Sequence, residues 1–165
     1  MSGIRSMLLA LVGVVGTAST IMLGGCSTFR DPQVTIVSAS VVETSDEAMT
    51  LHITADLANP NDESLQLLNF NYHVTVDGQR VFQGIRSAEA TLGGNQQRQV
   101  TIPAVVRFVD VGWSPTAVPA DVEYAVSGTL QYITPGSIAQ ILFDSGVRKP
   151  RAGFRGTVAT TASES

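Results

Sequence analysis

A chain of 165 residues with ten Lys and Arg against fourteen Asp and Glu carries a formal net charge of −4. That balance argues against nucleic acid, whose binding is led by phosphate neutralisation, and the length suffices for one domain with a real core. Cys26 is the only cysteine, so no disulfide can form within the chain and the fold must be held by apolar burial.

The first 25 residues contrast with the rest. Arg5 supplies a positive start, Met7–Val15 is apolar, and Leu23-Gly24-Gly25-Cys26 follows. This arrangement resembles a bacterial lipoprotein signal peptide, with Leu23, Gly24 and Gly25 as the lipobox and Cys26 as the lipidated residue and new N-terminus. The residue types suit the chemistry: a thiol must reach the membrane surface to accept lipid, and small neighbours leave the backbone open to a peptidase. The competing reading is an ordinary membrane anchor. Ser6–Phe29 is uncharged and exceeds the roughly 20 residues that a hydrocarbon core requires, but Gly13, Gly16, Thr17, Ser19 and Thr20 dilute its apolar character. Cleavage before Cys26 would leave 140 residues with nine basic and fourteen acidic side chains, and lipid on Cys26 would hold them at a membrane. In Gram-negative lipoproteins an Asp after the cysteine tends to retain the protein at the inner membrane. Ser27 therefore implies the outer membrane, with the domain facing the periplasm. Residues 26–33 read as a lipidated polar tether.

From Val34 the pattern becomes that of strands. Val34 and Ile36, with Val41 as a candidate extension, mark the first. Leu51, Ile53, Ala55 and Leu57 alternate with His52, Thr54, Asp56 and Ala58 in the second, which Asn59-Pro60-Asn61-Asp62 ends. Pro60 removes a donor and pushes Asn59 toward extended geometry, while Asn61 and Asp62 can bond their own backbone. Leu68, Phe70, Tyr72, Val74 and Val76 give the next period-two face, closed by Asp77-Gly78, a type I′ hairpin signal before Val81 and Phe82. Ala88, Ala90 and Leu92 suggest a short strand before Gly93-Gly94-Asn95. Val100, Ile102, Val105 and Phe108 form another, in which Pro103 marks an edge or bulge. Asp110–Asp121 is the longest irregular connection, with room for one helical turn. Tyr124, Val126, Leu130 and Tyr132 frame Gly128 in a late strand, and Ile138–Phe143 reads as the last. About seven short strands with these turn signals favour an all-β, antiparallel β-sandwich over residues 34–147. Residues 148–165 read as a basic and then polar tail, in which Arg148, Lys149, Arg151 and Arg155 concentrate positive charge that suits anionic lipid or cell-wall groups; a solvated terminus is the competing reading.

Leu51–Asn61, with its strand and Asn59-Pro60-Asn61 turn, resembles the late embryogenesis abundant type 2 family, also called the WHy (water stress and hypersensitive response) domain. The likeness continues in order through Leu68–Gly78, Val81 and Gly84, the Ile102-Pro103 strand, Tyr124–Leu130 with Gly128, and Phe143–Gly146. The resemblance implies an immunoglobulin- or fibronectin-III-like sandwich and a folded, stress-associated protein. It implies no catalytic residues.

The residues themselves point the same way. His52 and His73 fall on the polar side of their strands, and neither has the spacing of a metal site, which would need further ligands. No Gly-x-Ser-x-Gly elbow occurs and the one thiol is committed to lipid, so an enzyme is not expected. Gly93-Gly94-Asn95 lacks the Gly-Lys-Ser/Thr of a phosphate loop. The Asn59-Pro60-Asn61 turn reads as a hydrogen-bonded corner. Trp113 is either a cap on one end of the domain or an exposed contact surface, and the cap is the stronger reading because a buried aromatic stabilises by a few kcal/mol, about 1.5–3 for a large apolar side chain. No cofactor and no metal is expected. The function that follows is non-catalytic protection of envelope proteins or membrane under desiccation or related stress. The alternative is an interaction module that docks a particular envelope partner or an apolar ligand.

Overall fold

Strand β2 (Ala48–Ala58) shows how directly alternation becomes burial. Met49, Leu51, Ile53, Ala55 and Leu57 all point into the core, while His52 is exposed and Thr54 and Asp56 are half-exposed. The computed structural model describes residues 29–119 and 122–161; Leu23, Gly24, Gly25 and Cys26 lie outside the described residues. The other strands are β1 (Gln33–Thr44), β3 (Leu65–Val76), β4 (Gln79–Leu92), β5 (Gln97–Arg107), β6 (Glu123–Ile133) and β7 (Arg151–Thr161). Two short helices, α1 (Phe108–Val111) and α2 (Ala139–Asp144), sit in the connections. Among the described residues no helix is long and apolar enough to cross a membrane.

The strands follow the order β4-β3-β6-β7-β1-β2-β5 in one hydrogen-bonded sheet. Every pairing is antiparallel except β1 with β7, a short parallel contact at Ala39–Thr160 and Ser40–Thr161. The terminal strands β4 and β5 come back into contact, so the sheet curls into a nearly closed, barrel-like wall. The all-β expectation holds, but this is not clearly the immunoglobulin or fibronectin III sandwich. Strand β7 is the reason: it pairs with β6 from Arg151 to Ala159 and then touches β1, joining what would otherwise be two separate sheets. At the seam, the hydroxyl of Tyr72 on β3 donates to the carbonyl of Pro103 on β5. Pro103 does lie on a terminal strand, where its missing N–H interrupts no ladder.

Four local expectations change. Most of the segment expected as a tail over 148–165 is strand β7, Arg151–Thr161: Ala152, Phe154 and Val158 are buried in it, and it is central to the sheet. Ile138–Phe143 is not a strand, because the Leu142 N–H donates to the Ile138 carbonyl (3.0 Å) and Ser145 N–H to Ile141 (3.0 Å), which makes it helical. Val81-Phe82 and Ala88–Leu92 belong to one long strand, β4, whose pairing with β3 shifts register twice. The helical turn begins at buried Phe108 rather than within Asp110–Asp121. The Asp77-Gly78 hairpin is as expected, with φ of 49° and 78° as a type I′ turn requires. Glycine at 128 is a packing requirement, since a Cβ there would strike the backbone of Asn71 and Tyr72 on the adjoining strand.

Deleting residues 151–165 should abolish cooperative urea unfolding followed by circular dichroism. The loss of one buried Phe and one buried Val, at roughly 1.5–3 kcal/mol each, together with the β6 and β1 pairings, is comparable with a total domain stability of about 5–15 kcal/mol.

Candidate functional site

Asn59 is the one buried polar side chain among the described residues, 2% exposed. Pro60 follows it at the end of β2, and the Asn59 amide turns inward across two connections. Its Nδ2 donates to the carbonyls of Glu63 (2.8 Å), Leu92 (3.2 Å) and Gly93 (3.1 Å). Its Oδ1 accepts from the backbone N–H (3.1 Å) and Nδ2 (2.9 Å) of Asn61. Two backbone bonds close the same junction, Asn59 N–H to Gln96 (3.0 Å) and Asn95 N–H to Asn61 (2.8 Å). Asn95 Nδ2 adds a bond to the Asp62 carboxylate at 2.8 Å. Gly94 sits so close to the Asp62 carbonyl that a Cβ has no room, which explains a glycine in this turn. The β2–β3 and β4–β5 corners are therefore one hydrogen-bonded unit.

Asn61 extends that unit to the incoming chain. Its Nδ2 donates to the Arg30 carbonyl and its Oδ1 accepts from the Arg30 N–H, each at 2.8 Å. Phe29 stacks on Tyr132 with centroids 5.9 Å apart and planes at 26°. The Tyr132 hydroxyl donates to Asp31 Oδ1 at 2.6 Å, and Pro32 is buried. Burial, the bond to Asp31 and the Asp31 charge hold the Tyr132 hydroxyl far above its usual range, with Arg148 opposing. The polar stretch expected as a tether over 26–33 is thus docked from Phe29 onward, by aromatic stacking and amide pairing that a reading of polarity alone misses.

This end of the barrel also carries α2 and the turn after it. Phe143 and Lys149 overhang a groove of about 620 Å³ floored by residues of β3, β4 and β6, including Leu67, Asn69 and Gln131. Trp113 lies in the connection after α1, at the opposite end. It is half-buried and packs on the core with Val111 and Val118, the arrangement of a cap, while neighbouring Val109 is 80% exposed.

His73 lies on the outward side of β3, where it is half-buried. It pairs with Ser127 across β3 and β6, with Nε2 and Oγ 2.9 Å apart. Burial, then the charges of Arg80 and Arg155, push its pKa below the ordinary 6.5. Activation of a serine would call for a carboxylate to orient and stabilise the imidazolium; this imidazole has two guanidinium charges instead. The pair escaped sequence reasoning because its members lie on strands joined only by the long β4–β5 excursion. Among the described residues no group of three His, Cys, Asp or Glu is placed to hold a metal.

Asn59→Ala should cost about 3 kcal/mol in urea unfolding, because the carbonyls of Leu92 and Gly93 lose a partner and each buried unsatisfied group costs about 1–3 kcal/mol. Asn61→Ala should cost nearer 1 kcal/mol and accelerate hydrogen exchange at the Arg30 amide. For His73, the unfolded chain takes up a proton before the folded one does. Its contribution to stability is therefore present above pH 6.5 and lost as pH falls through the lower folded value. An NMR titration should place its midpoint below 6.5, and His73→Gln should flatten the acid side of the stability profile.

No curated protein matches this sequence. Several solved structures share its fold. An X-ray structure of a Northeast Structural Genomics Consortium target aligns at a TM-score of 0.54 and 15% identity, over 80% of this chain and 88% of that one. A solution structure from Arabidopsis thaliana aligns at 0.54 and 13%, over 84% and 90%. The solution structure of a late embryogenesis abundant (LEA) protein aligns at 0.50 and 14%, over 78% and 71%. At such identities the likeness is one of fold alone. The family model for late embryogenesis abundant protein, LEA_2, matches residues 54–142, from the middle of β2 into α2 and over half of the chain, and the protein belongs to the LEA_2 family.

Proposed function

We propose that the protein is a lipid-anchored envelope protein that protects proteins or membrane, without catalysis, during desiccation or related stress. The observation that carries this reading is family membership, which points to a stress-related, non-catalytic role. The lipobox Leu23-Gly24-Gly25-Cys26 supports the anchor, and Ser27 supports the outer membrane with the domain in the periplasm. The surface supports shallow, general contact: Ile85 on β4 is 72% exposed, Val105 on β5 41% and Val109 80%. A stable wall with scattered apolar side chains, held at high local concentration by its anchor, suits weak engagement of partly unfolded clients.

The chain from Ser27 onward retains every described residue, which makes it a suitable soluble form for a direct test. It should preserve a labile enzyme through drying and freeze–thaw better than an equal mass of albumin. Protection no better than albumin would reject a direct protective role and favour a module that docks one partner.

A further inference from the structure

The end of the barrel at which the chain enters also carries exposed aliphatic side chains next to cations. Ile138, Ile141 and Val147, on α2 and the segments flanking it, are 65%, 66% and 76% exposed. Arg148 follows at once, and its N–H donates to the Leu142 carbonyl at 3.0 Å, so the basic run Arg148, Lys149 and Arg151 is strapped to the helix. Asp144 is the sole carboxylate between β6 and the start of β7, and it already accepts from Gln140 Nε2 at 2.9 Å. Asp31, which accepts from Tyr132, Asp62, which accepts from Asn95, and Glu63 lie at the same end and place negative charge beside Arg30, so the positive charge is local to the turn after α2. Exposed aliphatic groups beside a cluster of cations are a composition suited to an anionic lipid interface.

The path of the chain says what lies there. Tyr132 holds Phe29 and Asp31 on one side, and its own N–H donates to the Pro150 carbonyl (3.3 Å) in the basic turn. The entry point and the α2 surface are therefore neighbours through one residue. Cys26 is three residues before Phe29, a reach of at most about 10 Å. We infer that α2 and its basic turn rest on an anionic membrane, with Ile138, Ile141 and Val147 at the headgroup boundary and Arg148, Lys149 and Arg151 facing lipid phosphates. The far end, with Trp113, then points away from the bilayer. This inference rests on the reading that the segment before Phe29 is held in a membrane.

The native tryptophan makes the test direct. Full-length protein purified from membranes is reconstituted into vesicles of phosphatidylglycerol and brominated phosphatidylcholine, and indole quenching is compared between two forms. Trp113 of the wild type should keep its emission. The indole introduced by Ile141→Trp, in a Trp113→Phe background, should lose roughly half, as expected for a side chain buried at the headgroup and acyl boundary. Adding Arg148→Gln and Lys149→Gln should reverse much of that loss, and so should high salt. No quenching at position 141, or equal quenching at both ends, would overturn the inference. Val147→Trp supplies the same reading should Ile141→Trp fail to fold. The intact mass of the same samples reports Cys26 separately: an unmodified cysteine with a quenched indole overturns only the lipid anchor, whereas a lipidated cysteine with no quenching overturns the docked surface.

Discussion

The fold turns on one buried amide. Asn59 stands at the point where β2 leaves the wall, and its side chain reaches the last residue of β4 and the turn that starts β5. A side chain with two donor hydrogens and one carbonyl oxygen can serve carbonyls and N–H groups together, which neither Asp nor an aliphatic residue can do. Were the Leu92 carbonyl and the Asn59 amide itself left without partners, the penalty would approach the stabilisation of a buried core residue, since Asn59 is 2% exposed and its bond to Leu92 is buried. The corner therefore sets where the β2–β3 and β4–β5 connections end, and through Asn61 it also sets where the incoming chain must lie. Structure at this end is specified by polar groups, whereas the barrel interior is specified by alternation.

The legibility of the sequence divides along that line. The faces of β2, of β3 from Phe70 onward and of β6 could be read residue by residue because most inward positions are large and outward ones polar, as in Leu51–Leu57 and Phe70–Val76, whereas a register shift after Leu67 puts Leu65 and Leu67 in the core in place of Leu68. Strand β7 could not. Its inward positions include Ala152 and Gly156, and a Cβ at 156 would collide with the side chain of Ile36 on β1, so the neighbouring strand fills the space that a large residue would otherwise mark. Two glycines and two arginines in Arg151–Gly156 then look like solvated tail. The LEA_2 match also stops before this strand. Ile138–Phe143 misleads for the opposite reason: six residues of mostly apolar chain are too few to separate a period of two from one of 3.6, and only the local bonds decide. The candidate site was half legible. The Asn59-Pro60-Asn61 turn announced a corner, but nothing in the spacing linked Asn61 to Arg30 or Tyr132 to Asp31.

A nearly closed wall also bears on how the surface can be used. Open sheet edges invite pairing with foreign strands. Here β4 and β5 face each other across a seam that Tyr72 bridges, β5 carries Pro103, and β4 is twice irregular against β3. Backbone pairing with a foreign strand is accordingly disfavoured on both terminal strands, and the client contact proposed above would come from side chains such as Ile85 and Val105 on their outer faces. Such contacts are individually weak, and weak contacts protect only when the concentration is high.

Docking of Phe29–Pro32 sharpens that requirement. A long flexible tether would let the barrel sample many orientations and reach clients at a distance. With the chain bound from Phe29 onward, an anchor at Cys26, as proposed, would leave only a few residues of slack and would commit one end of the barrel to the anchored side. Under that proposal the surface left for clients would be the lateral wall and the Trp113 end, where Val109 is exposed. The packing of Trp113 onto the core would then do more than cap: it would close the interior at the end away from the proposed anchor and keep a large aromatic from becoming a permanent sticky site. Engagement that is shallow, reversible and oriented away from the anchor is what this distribution of apolar groups permits.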